Sequence, residues 1–117
     1  MKRVLVVDDN QVNRKLAAAM LQKRGWRVEE ADNGLTALAM LEASAFDYVL
    51  LDISMPGLDG EEVCRRIRQM EATQGLHVVA YTAHAMESEK ARIMRAGFDD
   101  IVIKPVTMEA LMAKLPD

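Results

Sequence analysis

Four apolar segments of the sequence end in polar residues whose types suit a phosphate site. These residues are, in chain order, Asp8 with Asp9, Asp52, Thr82, and Lys104 with Pro105. The segments that precede them, such as VLVV and DIVI, are short and rich in β-branched residues, which predicts strands. Residues that follow parallel strands at one edge of a sheet lie close together, so the set is predicted to form a single site.

The acidic residues of this set require either a bound proton or a bound cation. Two unit charges about 4 Å apart repel by about 4 kcal/mol at an effective dielectric constant near 20. Ligands that are all oxygen favour a hard cation, Mg²⁺ or Mn²⁺. Mg²⁺ keeps several waters, so Asp8, Asp9 and Asp52 suffice if a phosphoryl oxygen completes its shell. Lys104 adds a compact positive charge for a carboxylate or a phosphoryl oxygen, and the set therefore suits phosphoryl transfer to a carboxylate.

Each member of the set also has an ordinary structural interpretation. An Asp pair at a strand end often caps a helix or a turn. Thr82 is of a type common in loops, and most lysines are solvated. Taken singly, these interpretations are the better ones, but the joint occurrence at four strand ends favours a site.

Short strands alternate with longer segments of helical period, which predicts five parallel strands and five helices. The strands are predicted at 3–8, 27–31, 46–51, 77–82 and 100–103. This pattern is typical of an α/β fold with a doubly wound five-stranded parallel sheet in the order 2-1-3-4-5. In that order the reversal lies between strands 1 and 3, where Asp8, Asp9 and Asp52 are placed.

Helix boundaries and buried faces follow from capping residues and apolar spacing. Asn10 is a predicted N-cap, Asp59 with Glu62 resembles a capping box, Gly97 is predicted to end the fourth helix, and Thr107 to cap the fifth. The predicted buried stripes comprise Leu16, Ala17, Met20 and Leu21 on the first helix and Met108, Leu111, Met112 and Leu115 on the fifth. The opposite face of the first helix carries Val12, Lys15, Ala19 and Gln22, a candidate docking surface for a helical partner.

Length and composition narrow the class of protein. The 117 residues fit one domain, 1–117, and leave no room for a second core. A net charge of −3 argues against direct nucleic-acid binding. No apolar stretch approaches the roughly 20 residues of a membrane span, and MKRVLVVDD is unlike a signal peptide, so a cytoplasmic location is expected. Cys64 is the only cysteine, which excludes an internal disulfide and predicts a buried apolar role.

Four longer segments carry a resemblance to a known family. They are VLVVDDNQVN, DYVLLDISMPGLDG, VVAYTAHAM and AGFDDIVIKPV. Their order and spacing resemble the receiver (CheY-like) domains of two-component response regulators over essentially the full chain. The resemblance implies a flavodoxin-like fold, a role in phosphorelay signalling, and no output domain within 1–117. DDNQVN and TAHAM look more like the receivers of hybrid kinases.

The resemblance implies a role for each acidic residue. Asp52 would accept a phosphoryl group from a phosphohistidine on a histidine kinase or a histidine phosphotransfer domain. Asp9 would bind Mg²⁺ directly and Asp8 through water, with Asp52 and the backbone carbonyl of Ser54 also at the metal. The domain would take and slowly lose the phosphoryl group itself, so we expect no enzymatic turnover.

The resemblance also implies how the signal leaves the site. Thr82 and Lys104 would each contact a phosphoryl oxygen, and the peptide bond before Pro105 would be cis. The family carries an aromatic switch residue three positions before the Lys, where this chain has Ile101, so we predict a weaker or different response. The response is expected at the face formed by the fourth helix, the fifth strand and the fifth helix, where a downstream protein would bind. The domain is expected to be a monomer or a weak dimer.

Ser54 and His84 flank the path expected for an attacking water. Both are candidates for setting the phosphate lifetime, and both are equally well interpreted as loop residues that face solvent.

Three other functions are open to an acidic site on such a sheet. A Mg-dependent phosphatase with an Asp nucleophile typically has a second acid two residues later, where this chain has Ser54. A receiver-like binding module that is not phosphorylated would not need the complete set from Asp8 to Lys104. A nucleotide or flavin carrier is opposed by the lack of a Gly-rich loop after the first strand.

Overall fold

The computed structural model describes all residues, 1–117, as one alternation of strands and helices. The strands are β1 (Arg3–Val7), β2 (Arg27–Ala31), β3 (Tyr48–Asp52), β4 (His77–Thr82) and β5 (Asp100–Ile103). The helices are α1 (Gln11–Lys23), α2 (Gly34–Ala43), α3 (Gly60–Gln69), α4 (Glu87–Arg95) and α5 (Met108–Lys114), with a short 3-10 turn at Glu71–Thr73. The predicted number and order of elements are confirmed.

All strand pairs are parallel, and the sheet order is β2-β1-β3-β4-β5. The predicted fold class and the reversal of strand order between β1 and β3 are therefore confirmed. Buried residues of α1 and α5 pack on one face of the sheet, and those of α2, α3 and α4 pack on the other. Because both faces are covered, β3 is buried along its whole length and reads as a continuous apolar run that ends in Asp52.

Polar caps begin the helices where the sequence predicts them. Asn10 accepts a hydrogen bond from the backbone N–H of the residue three positions on, and Thr107 does the same for α5. Asp59 Oδ1 accepts from the Glu62 N–H at 2.9 Å, but the Glu62 carboxylate pairs with two arginines of α3, so the capping box is not reciprocal. Gly97 follows α4 with φ of 113°, a left-handed conformation that favours glycine.

Two residues of the predicted buried stripes are exposed. Leu16 on α1 is 41% exposed and Met112 on α5 is 55% exposed, so both predictions were wrong. A helix that rests on a sheet buries a narrow inner face, here Ala17, Ala18 and Leu21 on α1 and Leu111 on α5. Each predicted buried stripe therefore included one residue that is exposed.

An aromatic stack lies at the amino ends of the strands, opposite the carboxyl ends. The rings of Trp26 and Tyr48 stack with 5.4 Å between centroids, and the Arg24 guanidinium lies 3.9 Å from the Trp26 centroid. Trp26 Nε1 donates to Asp117 Oδ1 at 2.8 Å, and the Tyr48 hydroxyl donates to the Pro116 carbonyl. These contacts hold the segment after α5 against the sheet. No helix of the chain combines the length and apolarity that crossing a membrane requires.

Candidate functional site

The strand ends bring the predicted acidic residues together at one edge of the sheet. Asp8 follows β1 and Asp52 is the last residue of β3, its neighbour in the sheet. One carboxylate oxygen each from Asp8, Asp9 and Asp52 lies within 4.8 Å of the others. The predicted convergence of the three carboxylates is thus observed. A cavity of about 670 Å³ lies at the opposite edge and is lined by none of these residues.

The carboxylates differ in burial and in hydrogen bonding. Asp8 is fully buried, and its Oδ1 accepts from the Asn10 N–H at 2.9 Å. Its Oδ2 is buried and accepts no hydrogen bond. Asp52 is 2% exposed, and its Oδ1 accepts from the Ser54 N–H at 3.2 Å. Asp9 is exposed, so the cluster opens to solvent on its side.

Lys104 places one positive charge between two of the carboxylates. It follows β5, and its Nζ lies 3.2 Å from Asp8 Oδ2 and 3.2 Å from Asp52 Oδ1. Both contacts are ion pairs by distance, and Asp8 Oδ2 makes no hydrogen bond, which leaves that oxygen incompletely satisfied. The Lys104 backbone N–H donates to the Thr82 carbonyl at 2.8 Å, and the Lys104–Pro105 peptide bond is cis, as predicted.

Negative charge exceeds positive charge within the cluster. Burial raises the pKa of Asp52 above 3.8, and the Asp8 charge raises it further, whereas the Ser54 N–H and the Lys104 ammonium act to lower that pKa. One ammonium among three carboxylates leaves a deficit that a divalent cation can offset. The unsatisfied Asp8 Oδ2, the all-oxygen donor set and the open side at Asp9 all fit such an ion.

Thr82 ends β4 and is buried, but its hydroxyl is engaged locally. The hydroxyl donates to the His84 carbonyl at 3.0 Å and accepts from the His84 N–H at 3.2 Å. The side chains of His84 and Ser54 are exposed on the loops after β4 and β3. Ile101 is half-buried and packs against the core on the side of α2, α3 and α4.

Gly60 supports the site in a way that the sequence pattern did not predict. A Cβ at this position would lie 2.3 Å from the Asp52 carbonyl oxygen and 2.6 Å from Ile53 Cα. The Gly60 N–H donates to the Ile53 carbonyl at 3.3 Å. Only glycine therefore allows the start of α3 to lie against the end of β3 and hold the loop that follows Asp52.

Tyr81 is a second residue near the site that the sequence pattern did not predict. It is fully buried in β4, and the Lys104 Nζ lies 4.7 Å from the centroid of its ring. Its hydroxyl is buried without a hydrogen-bond partner. Burial, with the charges of Asp8 and Asp52, raises the pKa of Tyr81 to about 12, so the hydroxyl stays protonated at neutral pH. The available signal was an aromatic residue that follows three aliphatic residues of β4, directly before Thr82.

Comparison with protein families gives a match over nearly the whole chain. Residues 4–116 match the response regulator receiver domain. The sensor histidine kinase RcsC of Salmonella typhi is 43% identical over 112 residues, which are 96% of this chain and 12% of that protein. The sensor histidine kinase GacS of Pseudomonas protegens is 41% identical over 93% of this chain and 12% of its own length. The chain thus spans about an eighth of these relatives.

Solved structures agree with the sequence match. The chemotaxis protein CheY4 of Vibrio cholerae superposes with a TM-score of 0.93 and 29% identity, over 98% of this chain and 96% of that one. The receiver domain of the sensor histidine kinase PA1611 from Pseudomonas aeruginosa has a TM-score of 0.89 and 32% identity, over 96% and 92% of the two chains. That structure has a magnesium ion coordinated in its active site cleft.

Proposed function

The chain belongs to the response regulator receiver domain family of two-component systems, and we propose that Asp52 is its phosphoacceptor. The observation that supports this assignment is the environment of the Asp52 carboxylate. It is buried at the end of the central strand, beside the acidic pair Asp8 and Asp9, and in contact with the Lys104 ammonium. An isolated buried carboxylate would have no positive charge, such as the Lys104 ammonium, in contact with it.

Asp8, Asp9 and Asp52, with the backbone carbonyl of Ser54, are the residues that would hold Mg²⁺. When bound, Mg²⁺ supplies positive charge that offsets the carboxylates and the phosphoryl oxygens. A donor set of carboxylate and carbonyl oxygens favours a hard cation such as Mg²⁺ over softer metals.

Transfer requires little chemistry from the protein beyond positioning and charge. An Asp52 carboxylate oxygen attacks phosphorus as the bond from phosphorus to the donor histidine nitrogen breaks, and the imidazole leaves. Lys104 gives up its contact with Asp52 Oδ1 and pairs with a phosphoryl oxygen. Thr82 exchanges its hydrogen bond to the His84 carbonyl for one to another phosphoryl oxygen. Hydrolysis of the acyl phosphate by water later releases inorganic phosphate and restores the carboxylate.

The donor is a phosphohistidine of a histidine kinase or a histidine phosphotransfer domain. Val12 at the start of α1 is 77% exposed and Leu16 one turn later is 41% exposed, which leaves an apolar surface beside the acidic cluster. A helical donor that packs there brings its histidine close to Asp52. Because the curated relatives are sensor kinases, the donor lies either in the same protein or in its partner in the relay.

The rearrangement of Thr82 is the proposed start of the output signal. Its hydroxyl holds the His84 backbone in the resting structure, so its movement releases the loop that leads into α4. The exposed side chains of Met94, Ile103 and Met112 give the surface of α4, β5 and α5 an apolar character that suits a downstream protein. Ile101 has no ring that could rotate between two positions as an aromatic side chain does. The conformational change that starts at Thr82 is therefore transmitted by repacking of the Ile101 side chain.

Beryllofluoride with Mg²⁺ tests the phosphoacceptor assignment. We expect slow-exchange NMR shifts at the amides that follow Asp8, Asp52 and Thr82, and no shifts in an Asp52→Asn variant. Phosphorylation by a small phosphodonor should place the modification on Asp52 by mass spectrometry. Absence of binding by the wild type in the presence of Mg²⁺ would overturn the assignment.

The phosphate lifetime is proposed to depend on His84 and Ser54. Both side chains are exposed on loops beside the acceptor, where they meet an attacking water. We expect His84→Ala to change the decay rate of phosphorylated Asp52 without changing Mg²⁺ affinity. An unchanged decay rate would assign His84 to a solvent-facing role only.

A further inference from the structure

Lys104 reaches the acidic cluster across an intervening strand. Lys104 follows β5, whereas Asp52 ends β3, and β4 lies between them in the sheet. Tyr81 of β4 pairs with Asp52 on one side and with Val102 on the other. Paired residues direct their side chains to the same face, and Lys104 is two positions after Val102, so its side chain also lies on that face. The Tyr81 ring therefore lies directly under the path of the Lys104 side chain.

The contact between Lys104 and Tyr81 has the geometry of a cation–π interaction. The Nζ lies 4.7 Å from the ring centroid, inside the roughly 6 Å limit for such contacts. The Lys104 side chain is 16% exposed and Tyr81 is fully buried, so water competes little for the ammonium. The ammonium lies over the ring, and the Tyr81 hydroxyl makes no hydrogen bond to it or to any other group.

The carboxylates of Asp8 and Asp52 can hold the Lys104 ammonium only while no cation is bound to them. Asp8 and Asp52 each lie 3.2 Å from Nζ, but both also belong to the cluster that suits a divalent cation. A cation bound there competes for the same oxygens and repels the ammonium. The attraction of the ring face does not depend on the charge of these carboxylates.

On the premise that Asp52 is the phosphoacceptor, we propose that Tyr81 is a positioning residue for phosphoryl transfer. Its ring keeps the Lys104 ammonium over the site when a divalent cation occupies the carboxylates, so that Nζ is in place for the incoming phosphoryl oxygens. Tyr81 itself touches neither the phosphoryl group nor the metal. The hydroxyl is dispensable for this role, and the ring is required.

A series of phenylalanine analogues at position 81 separates the ring's charge distribution from its volume. Tyr81→Phe keeps the ring and removes the unsatisfied hydroxyl, so its affinity for beryllofluoride with Mg²⁺ should be at least that of the wild type. Monofluoro-, difluoro- and trifluorophenylalanine at this position retain the shape but progressively weaken the negative ring face. We expect the beryllofluoride affinity to fall stepwise, by roughly tenfold across the series. Mg²⁺ affinity, measured alone by calorimetry, should not fall, because Lys104 is not a metal ligand.

The same fluorinated residues at Phe98 provide the control. Phe98 is 3% exposed and contacts no lysine or arginine over its ring, so its fluorination should leave beryllofluoride affinity unchanged. A flat series at position 81, with normal binding by Tyr81→Phe, would overturn the role of Tyr81 and leave the function of Asp52 intact. A parallel loss of Mg²⁺ and beryllofluoride affinity would assign Tyr81 to general packing instead. No beryllofluoride binding by the wild type would refute the function itself.

Discussion

Removing the charge of Asp9 should make the metal-free protein more stable and abolish its response to Mg²⁺. Oxygens of Asp8, Asp9 and Asp52 lie within 4.8 Å of one another. Two unit charges at that separation repel by about 0.9 kcal/mol in water and by about 3.5 kcal/mol at an effective dielectric constant of 20. Asp9 is exposed, which favours the lower value, and it is the one acid of the three that does not pair with Lys104. We expect Asp9→Asn to raise the free energy of unfolding by about 1 kcal/mol without Mg²⁺.

Mg²⁺ should reverse this order of stability. An ion that binds only the folded state adds about 2.7 kcal/mol at a concentration 100 times its dissociation constant. The wild type should gain that amount, whereas Asp9→Asn has lost a ligand and should gain little. Urea unfolding with and without Mg²⁺ measures both effects. The fluorescence of Trp26, the only tryptophan, follows unfolding from a buried position at the opposite edge of the sheet.

Glu42→Gln is the matched control, because it makes the same change of charge at an exposed position of α2 near the opposite edge. It should shift stability little and leave the full Mg²⁺ response. The reasoning fails if Asp9→Asn lowers stability in the absence of Mg²⁺. It fails equally if that variant gains as much from Mg²⁺ as the wild type does.

Three further predictions concern the loop, the thiol and pH. Gly60→Ala should lower the free energy of unfolding, measured with urea, by about 2 kcal/mol or more, because its Cβ would lie 2.3 Å from the Asp52 carbonyl oxygen. Gly75→Ala is the control and should change this free energy little, because no atom lies within 4 Å of its Cβ. Burial raises the pKa of Cys64 to about 11, so a thiol reagent at neutral pH should modify it only as the protein unfolds, and rapid labelling in native buffer would contradict this. Burial raises the folded-state pKa of Asp52 above its ordinary value of 3.8. The contribution of Asp52 to folding stability is therefore fully present below pH 3.8 and is lost as the pH rises through the folded-state pKa. Without Mg²⁺, Asp52→Asn should therefore flatten the decline of stability with pH, and parallel declines in variant and wild type would refute this.

Local patterns in the sequence were sufficient to predict much of the fold. Apolar runs of β-branched residues predicted the strands, and polar caps such as Asn10 and Thr107 predicted where helices begin, because both signals depend on neighbours along the chain. The two errors at Leu16 and Met112 arose where periodicity alone cannot fix the width of a buried face. How much of a helix is covered depends on the curvature and separation of the surfaces it meets.

The chemical groups of the site follow from the amino-acid sequence alone: three acids, a hydroxyl and a lysine, each at the end of an apolar run. The alternation of strands and helices was enough to predict the edge at which they meet, because parallel strands end together. How the charges balance depends on the folded arrangement, in which Lys104 lies between Asp8 and Asp52 and one oxygen of Asp8 is left unsatisfied. The folded arrangement also brings Tyr81 beneath Lys104 and Gly60 against Asp52. These contacts join different elements of the fold, and their distances are set by strand register and helix packing, which no local pattern specifies.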